Sequence, residues 1–503
     1  MPGRPNLLIV VLDAQRASDF PGGSQAVEGM PFLRGLRREC WVFPRAVSPA
    51  TWTIPSHASL FTGLYPWEHG THGKGTLRLP SEVPTLSSML GREGYRTGIF
   101  SANPFLGDDY GLARGFERAA WGSWWEHLLR WPSETPPFMK TQATAGARPV
   151  GRDISVDPLR RTLGPLLPRI NHHLDRFPFM LDAGGRLALK VRRPATPWGL
   201  QISPWIEPTL ERWISEGPAE TPFFAVLNLL ETHEPYFPDP TGLGGLADWW
   251  RALSVRQDGV SQFADRWRPS SEEMDRLHTM YRGMVRLMDR RLERVVEALR
   301  RSRKWDRTWL VITSDHGQGF GEEGNYFHFH GISEGLVRVP LWVRPADGTG
   351  DGRASRGLAS LVDVAPTLLQ AAGAPSTARF ASAVDLGGLL DRDRDGPVYC
   401  VDDGLVWDHM FRWVRPSDRV EFDRARVAAY RGRLRVVVAE GGSAPQVDDV
   451  DRDPLHPASI RPGSEPMAGE MERAAREVLS RLTRSVSGAM GADERRLRSW
   501  GYV

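Results

Sequence analysis

The sequence predicts an α/β protein with a mostly parallel central sheet and a smaller C-terminal unit of antiparallel sheet and helix. Apolar, β-branched runs alternate with helical segments over most of the chain, a pattern typical of crossover units. Several of these runs end directly in Asp or His. Because 503 residues exceed the usual size of a single core, we expect a large domain over residues 1–395 and a subdomain over residues 396–503.

The composition excludes several classes of protein. The 64 basic and 61 acidic residues leave a net charge of +3, too small an excess for a protein that coats nucleic acid or a membrane surface. Two cysteines, Cys40 and Cys400, exclude a disulfide framework or a cysteine-rich metal site. The sequence has no apolar run of ~20 residues and no signal-peptide pattern at its start. We therefore expect a soluble, cytoplasmic protein with no nucleic-acid or membrane partner.

The first predicted strand is residues 6–12, a continuous apolar run that suits a strand buried on both faces. It ends at Asp13, and ligands of parallel sheets bind at the carboxyl ends of strands. Taken alone, Asp13 is at least as well explained as a cap of the following turn. A helix over residues 30–39 and a strand over residues 41–47 come next.

The segment SPATWTIPSHASLFTG, residues 48–63, predicts a loop that leads into a helix. Thr53 would lie at the helix N-terminus, where free N–H groups and the helix dipole favour an anion. An ordinary N-cap, in which Thr53 or Ser56 satisfies the first amides of a surface helix, is equally compatible with this stretch alone.

The remaining elements follow from periodicity. We predict helices over residues 85–93 and 271–300, and extended segments over residues 97–101, 223–230 and 308–314. The Ser270–Glu273 spacing is a capping box that begins the longest helix. Residues 122–216 are rich in Trp, Pro and Arg and lack periodicity, so we interpret them as an insertion that covers the functional site.

The C-terminal region changes in character. Residues 424–430 and 433–439 alternate around Gly432, which predicts a hairpin. Residues 467–485 have the pattern of an amphipathic helix. Together they predict a small antiparallel sheet covered by one helix.

The second strong signal is VITSDHGQGFGEEG, an apolar strand that ends in Asp315 and His316 before a glycine-rich loop. Carboxylate and imidazole groups together are a ligand set for divalent ions such as Zn or Mn. The pair is weak evidence alone. Combined with Asp13 at another strand end and the hydroxyl of Thr53, it predicts a metal site.

This combination also predicts a reaction. A threonine hydroxyl is a poor nucleophile at neutral pH, and coordination to a divalent cation lowers its pKa and orients it. The same ion polarises an oxygen of a phosphate or sulfate ester. Lys74, His57 and His233 are candidates to neutralise the charge that develops in the transition state.

The chain resembles the alkaline phosphatase superfamily, and within it the sulfatase and phosphonate monoester hydrolase branch. The segments that carry the resemblance are NLLIVVLDAQRASDF, TWTIPSHASLFTGLYPWEHGTHGKG, VPTLSSMLGREGYRTGIFSAN, PFFAVLNLLETHEPYFP, TWLVITSDHGQGFGEEG with RVPLWVRP, and LVDVAPTLLQAAGAP. The resemblance implies an alkaline phosphatase-like α/β/α sandwich. It also implies that Asp13, Asp315 and His316 are metal ligands and that Thr53 occupies the nucleophile position.

The resemblance assigns further residues to the substrate. His57 falls where sulfatases carry an arginine, His233 matches a histidine near the non-bridging oxygens of the substrate, and Lys74 is a partner for the same oxygens. His328 keeps the family's distance to the RVP segment and is preferred as the histidine at the end of the glycine-rich loop. His330 is the alternative.

Two weaker candidates come from the residues themselves. Asn103 follows a predicted strand and is a candidate for substrate contact, although a turn-forming asparagine explains it equally well. Arg16 is also a candidate for substrate contact, with an ion pair to Asp19 beside the metal as the other interpretation.

Two departures from the family pattern restrict the mechanism. Ala14 stands where many sulfatases have a second metal-binding aspartate, although phosphonate monoester hydrolases manage without it. Sulfatases oxidise a cysteine or serine to formylglycine, whereas oxidation of Thr53 would give a ketone, so no formylglycine is expected. Glu231 and His233 do not reproduce the spacing of two-zinc relatives, and we expect one divalent ion: Mn, Zn, Mg or Ca.

The sequence therefore predicts a metal-dependent hydrolase of a small phosphate or sulfate ester, with phosphoesters favoured and Thr53 as the nucleophile. One alternative is a phosphotransferase that passes the group to an acceptor alcohol. The other is a non-catalytic family member that binds an anion.

Overall fold

The computed structural model describes residues 3–121, 205–234, 236, 257, 269–328, 330–375, 380, 382–404, 424–442 and 444–484. Most of the predicted insertion at residues 122–216 lies outside these ranges, and so does its predicted role over the site. Only its last part is described, as a helix.

The strands of the described ranges fall into four sheets and are numbered in chain order. They are β1 (Asn6–Leu12), β2 (Trp41–Val42), β3 (Ala46–Val47), β4 (Arg96–Ser101), β5 (Arg118–Trp121), β6 (Phe223–Leu229), β7 (Thr308–Thr313), β8 (Gly319–Phe320), β9 (Tyr326–Phe327), β10 (Leu341–Arg344), β11 (Ala359–Ser360), β12 (Val398–Asp402), β13 (Arg426–Arg431), β14 (Leu434–Ala439), β15 (Gln446–Asp449) and β16 (Ala458–Ser459).

The α-helices are numbered in the same way. They are α1 (Pro31–Leu36), α2 (Thr53–Thr62), α3 (Pro66–His69), α4 (Leu86–Arg92), α5 (Ile206–Glu216), α6 (Ser271–Arg301), α7 (Glu334–Val337), α8 (Val364–Ala371) and α9 (Pro466–Arg484). Short 3-10 helices lie at Arg37–Glu39, Pro104–Leu106, Asp108–Tyr110, Trp305–Arg307, Glu322–Gly324, Leu361–Asp363 and Gly388–Leu390.

The main sheet has seven strands in the order β2-β10-β7-β1-β6-β4-β5. The five strands β7, β1, β6, β4 and β5 are parallel to one another. β10 runs antiparallel to both β7 and β2. β1 is central and buried along its whole length, as its continuous apolar sequence requires. The predicted fold class is therefore confirmed, although β10 was not among the predicted strands.

Helices cover both faces of this sheet because side chains of each strand alternate between two cores. Leu8, Val10 and Leu12 belong to the core under α1, α5 and α6, whereas Leu7 and Ile9 belong to the core under α2, α4 and α8. The result is an α/β/α sandwich with the carboxyl ends of the parallel strands at one edge.

The predicted strand over residues 41–47 is wrong as a single element. It forms two short strands, of which β2 joins the main sheet and β3 pairs with β11. Phe43 N donates to Leu341 O at 2.9 Å, which continues the pairing beyond β2. Pro44 and Arg45 then form a turn, which separates β2 from β3.

The C-terminal region forms the predicted antiparallel sheet and helix. The sheet has five strands in the order β12-β13-β14-β15-β16, and the β13–β14 turn contains Gly432 with φ 55°. Helix α9 buries Met471, Ala475 and Leu482 against it. The division of the chain at residues 395 and 396 stays a prediction. Within the described ranges, no helix is both long enough and apolar enough to cross a membrane.

Candidate active site

The ends of three parallel strands bring the predicted ligands together. Leu12 of β1 is level with Leu229 of β6, and Val11 with Thr313 of β7. Asp13 N donates to Leu229 O at 2.9 Å, so the first residue after β1 is still held by the sheet. The chain segments that carry Asp13 and Asp315 therefore leave the sheet at the same edge.

Two asparagines orient the carboxylate of Asp13. Its Oδ2 accepts hydrogen bonds from Asn103 Nδ2 at 2.9 Å and from Asn228 Nδ2 at 3.2 Å. Its Oδ1 is buried and has no hydrogen-bond partner among the described residues. Asn103, predicted to contact substrate, is thus placed on a predicted metal ligand, and Asn228 is a partner that the sequence analysis missed.

The backbone orients Asp315 and His316. Asp315 Oδ1 accepts from Ala14 N at 3.2 Å and from His316 N at 3.0 Å. His316 Nδ1 lies 2.9 Å from Gly317 O, which places the ring proton on Nδ1 and a lone pair on Nε2. That Nε2 lies 3.4 Å from Asp315 Oδ2 and 4.0 Å from Asp13 Oδ1.

These three side chains fit a divalent cation. Each is fully buried, and one ligand atom from each lies within 4.8 Å of the others. Asp13 Oδ1, Asp315 Oδ2 and His316 Nε2 are buried without hydrogen-bond partners in the described part of the chain. Burial of unpaired carboxylate oxygens is costly, and a cation between them removes the cost. Burial, with the neighbouring His328, lowers the pKa of His316 to about 3, so the ring is neutral, as a metal ligand must be.

Thr53 is the first residue of α2, and Trp52 before it has the extended φ of −153° that ends the loop. All ten residues of α2 are buried, and no side chain caps the helix. The surface N-cap that the sequence left open is therefore not what is observed. The helix start is tied to the strand end, because the hydroxyls of Ser48 and Ser56 both donate to Asp315 O.

His57 lies one turn after Thr53 and faces the same cluster. Its Nδ1 is 3.0 Å from Thr53 O and 3.5 Å from Asp315 Oδ2. Its Nε2 is buried and has no hydrogen-bond partner among the described residues. The first turn of α2, which carries Thr53, therefore reaches the carboxylate of Asp315 through the His57 ring.

A second cluster consists of His233, Glu234 and His328. Glu234 Oε2 lies 3.7 Å from His233 Nδ1, 3.5 Å from His328 Nδ1 and 2.9 Å from the amide of Gln318. The His328 ring stacks on His316 with ring centroids 4.6 Å apart, which connects this cluster to the ligand set.

The charges of this second cluster are coupled. Burial lowers the pKa of His233, but the carboxylates of Glu234 and Asp13 outweigh burial and leave it raised. Burial raises the pKa of Glu234, but His328 and His233 outweigh it and leave the pKa well below its ordinary value. The cluster therefore places beside the ligand set an imidazole, His233, whose charged form is favoured by its neighbours. Ligand atoms of its three residues also lie within 4.8 Å of one another, as a metal site would require.

Two other predicted residues, Lys74 and His330, contact the C-terminal region. Lys74 Nζ is 3.8 Å from Glu440 Oε2 of the C-terminal region, with 15% of its side chain exposed. His330 Nε2 lies 2.7 Å from Arg426 Nη1, and its Nδ1 is 3.3 Å from Asp402 Oδ2. The structure thus places His328, and not His330, against His316.

Arg16 is buried beneath the site. Its guanidinium is 3.1 Å from Asp19 Oδ2 and 2.6 Å from Glu322 Oε1, and its side chain has no exposed surface. The ion pair with Asp19 is therefore present. Arg16 Nη1 has no hydrogen-bond partner among the described residues, and the contact of Arg16 with substrate stays a prediction.

Several residues of the site escaped the sequence analysis. Thr232 donates to Asp13 O at 2.7 Å, and Asn228 and Glu234 have the roles described above. Asn228 interrupts the apolar run FFAVLNLL, and a polar residue near the end of a buried strand is a signal that was available in the sequence. Glu234 and Thr232 carry no comparable signal.

An α/β/α sandwich with carboxylates and an imidazole at strand ends, beside a buried helix start, is the architecture of an alkaline phosphatase-like hydrolase. Comparison with known proteins gives the family. Residues 5–374 match the sulfatase family. The chain therefore belongs to that family and is a hydrolase of ester bonds.

Two curated relatives are sulfatases by name. Choline-sulfatase of Rhizobium meliloti (strain 1021) is 23% identical over 380 residues, which cover 74% of this chain and 68% of that protein. Arylsulfatase K of Gallus gallus is 24% identical over 395 residues, which cover 78% of this chain and 68% of that protein.

Solved structures share the fold over nearly the whole chain. Phosphonate monoester hydrolase of Agrobacterium radiobacter has a TM-score of 0.60 and 18% identity, with 96% of each chain covered. BT4656, solved in complex with its substrate D-glucosamine-2-N,6-O-disulfate, has a TM-score of 0.63 and 14% identity, with 96% of this chain and 98% of that chain covered.

Proposed function

We propose that this protein is a metal-dependent hydrolase of small phosphorus esters, phosphate or phosphonate, with Thr53 as the nucleophile. One observation carries the proposal. Three buried polar atoms without described hydrogen-bond partners, from Asp13, Asp315 and His316, converge, and His57, one turn after Thr53, contacts Asp315 Oδ2 with its Nδ1.

The metal would be held by Asp13, Asp315 and His316, with the Thr53 hydroxyl as a further ligand. When bound, it supplies Lewis acidity that lowers the pKa of this hydroxyl and polarises an ester oxygen. Asn103 and Asn228 fix the orientation of the Asp13 carboxylate from behind. Asp13 Oδ1 and Asp315 Oδ2, which have no hydrogen-bond partners among the described residues, would be the carboxylate ligands of the ion.

The reaction has two balanced steps. Thr53 Oγ1 forms a bond to phosphorus as the ester P–O bond breaks, and the alcohol leaves with the proton that Thr53 loses. Water then attacks the phosphothreonine, releases inorganic phosphate (or the free phosphonate from a phosphonate ester) and restores the hydroxyl. His57, and His233 with its raised pKa, would neutralise charge on the oxygens of the reacting group.

The residue at position 53 supports phosphorus over sulfur. Oxidation of a secondary alcohol gives a ketone, so Thr53 cannot provide the hydrated aldehyde that expels sulfate in formylglycine sulfatases. The structural similarity to a phosphonate monoester hydrolase over 96% of both chains agrees with this choice. The curated relatives are sulfatases by name, so sulfate esters are the competing class.

The proposal is tested with matched chromogenic esters: a phosphate monoester, a phosphate diester, a phosphonate monoester and a sulfate. Wild type saturated with Mn or Zn should turn over at least one phosphorus ester. Thr53→Ala should lose roughly 10³-fold or more in kcat, whereas Thr53→Ser, which keeps a hydroxyl, should retain measurable turnover.

Thr62→Ala is the matched control. Thr62 is buried at the other end of the same helix and donates to Ala58 O at 2.7 Å, so its loss should affect stability and not kcat. Turnover of sulfate alone, or turnover that survives in Thr53→Ala, would contradict the proposal. Transfer of the group to an added alcohol without release of the free acid would identify a transferase instead.

A further inference from the structure

The C-terminal sheet reaches the nucleophile helix through the end of β12. Val401 and Ala50 form a parallel bridge, and Val401 N donates to Pro49 O at 3.0 Å. β12 therefore runs alongside the segment that leads into α2. Two adjacent carboxylates, Asp402 and Asp403, stand where β12 ends, and they are 1% and 2% exposed.

Asp403 connects two loops that carry predicted active-site residues. Its Oδ1 accepts a hydrogen bond from Trp52 Nε1 at 3.0 Å, and its Oδ2 accepts one from the backbone N–H of Gly73. Trp52 directly precedes Thr53, and Gly73 directly precedes Lys74. A single buried carboxylate from the C-terminal sheet thus holds the residue before the nucleophile and the residue before the lysine.

Asp402 makes a parallel contact with a third loop. Its Oδ2 accepts from Gly331 N at 2.8 Å and lies 3.2 Å from Arg426 Nη1. Gly331 belongs to the loop that also carries His328. The two carboxylates at the end of β12 therefore contact the loops of Thr53, Lys74 and His328.

We propose that Asp403 is a positioning residue, through which the C-terminal sheet sets the placement of Thr53 and Lys74. The inference rests on the proposed role of Thr53. The carboxylate has two oxygens and two N–H donors, one from each loop, and this pairing fixes the two loops relative to each other. Because in-line attack depends on the placement of the nucleophile, a small displacement lowers kcat more than it changes substrate binding.

Asparagine at position 403 tests the pairing with almost no change in volume. Its side chain has one acceptor and presents an NH₂ group to the other donor, so one of the two hydrogen bonds is lost. The asparagine side chain also lacks the native charge. Burial, with a smaller contribution from Asp402, raises the pKa of Asp403 to about 6, so the carboxylate is ionised at pH 7.5. Trp52→Phe removes the indole donor alone and keeps the carboxylate.

The experiment measures kcat and KM at pH 7.5 for wild type, Asp403→Asn, Trp52→Phe and the double variant, on whichever chromogenic ester the wild type hydrolyses. We expect kcat to fall roughly 10- to 100-fold in each single variant with KM within about threefold. The double variant should be no worse than the more impaired single variant, because loss of either hydrogen bond breaks the same link between the two loops. Independent, multiplicative losses, or changes confined to KM, would overturn the proposal.

Asp289→Asn is the matched control. Asp289 is also 2% exposed and accepts hydrogen bonds from two backbone N–H groups, those of Phe32 at 3.2 Å and Leu33 at 2.7 Å. It lies on α6 and contacts α1, not the loops of Thr53 and Lys74. Its loss should lower stability and leave kcat unchanged. An equal fall in kcat in Asp289→Asn would show that general loosening, and not positioning, is measured.

Hydrogen exchange separates failure of this inference from failure of the proposed function. Asp403→Ala, which removes both acceptor oxygens, should accelerate amide exchange at Gly73, and Asp289→Asn should not. If wild type shows no turnover that depends on Thr53, the proposed function fails while the exchange result still reports on the contact. Unchanged exchange at Gly73 in Asp403→Ala would overturn the inference even with an active enzyme.

Discussion

At the scale of single residues, the two unpaired aspartate oxygens define the chemistry of the site. Asp13 uses one oxygen for Asn103 and Asn228, and Asp315 uses one for backbone amides. The second oxygen of each aspartate lies near His316 Nε2. It has no hydrogen-bond partner among the described residues. Each second oxygen is therefore available to a cation.

The metal content of the protein decides between the two candidate ligand clusters. After loading with Mn or Zn and removal of excess ion, we expect about one ion per chain by elemental analysis. Asp13→Ala should reduce this number toward zero, because it removes one of the two unpaired carboxylates. Glu234→Gln should leave it unchanged, because Glu234 already pairs with His233, His328 and Gln318.

Thermal unfolding provides an independent measurement of the same binding. The ion should raise the melting temperature of wild type and of Glu234→Gln, but not of Asp13→Ala. Two ions per chain in wild type, with one lost in Glu234→Gln, would show that the cluster of His233, Glu234 and His328 binds a second ion. That outcome would contradict the single-ion expectation.

At the scale of elements, a buried arginine joins two helices to the loop that carries His233. Arg291 of α6 is fully buried and pairs with Glu207 of α5 and with Glu231, which follows β6. Glu231 is two residues before His233. The pairing thus connects the helical layer with one side of the site.

Replacement of this arginine should be strongly destabilising. Arg291→Met leaves two buried carboxylates without their cation, and removal of one partner from a buried pair costs about 3–5 kcal/mol. The free energy of unfolding is measured with urea at pH 7. Arg301→Met is the control on the same two helices, since Arg301 pairs with Glu211 at 58% exposure and should contribute little. Equal effects of the two substitutions would contradict this account.

The elements that the sequence predicts well are those whose signal is local. The strand before Asp13 is predicted by its continuous apolar run, and the helix that begins at Ser271 by its periodicity and capping box. Both are observed. The single strand predicted over residues 41–47 is wrong because Pro44 and Arg45 form a turn that separates β2 from β3. Asp403 could not be predicted, since its partner Trp52 is 351 positions away in the sequence and only the folded chain brings them together.

At the scale of the whole molecule, buried histidines make stability depend on pH. His69 Nδ1 accepts from Thr71 N at 3.0 Å, and Nε2 lies 3.0 Å from Ser59 Oγ, an arrangement that requires a neutral ring. Burial, with a contribution from His72, lowers the pKa of His69 from 6.5 to about 3. Burial also lowers the pKa of His72 to about 4.

The sign follows from proton binding. Between pH 6.5 and 3 the unfolded chain protonates His69 and the folded chain does not, so the free energy of unfolding falls as the pH falls. Each such histidine contributes about 1.4 kcal/mol per pH unit in its window. Asp403 has the opposite effect on the free energy of unfolding. Burial raises its pKa from 3.8 to about 6, so as the pH falls the folded chain protonates Asp403 before the unfolded chain does.

Urea unfolding at pH 7, 6 and 5, with a chelator present to remove metal binding from the balance, measures this dependence. Wild type should lose stability toward pH 5, because the lowered pKa values of His69, His72 and His316 outweigh the raised pKa of Asp403. His69→Gln should be less stable at pH 7 but should lose less between pH 7 and 5, and Asp403→Asn should lose more. If His69→Gln kept the wild-type slope, the neutral ring of His69 would not be a source of the acid sensitivity. The slope is the informative quantity, since it separates the protonation of this ring from the contacts that any substitution there would remove.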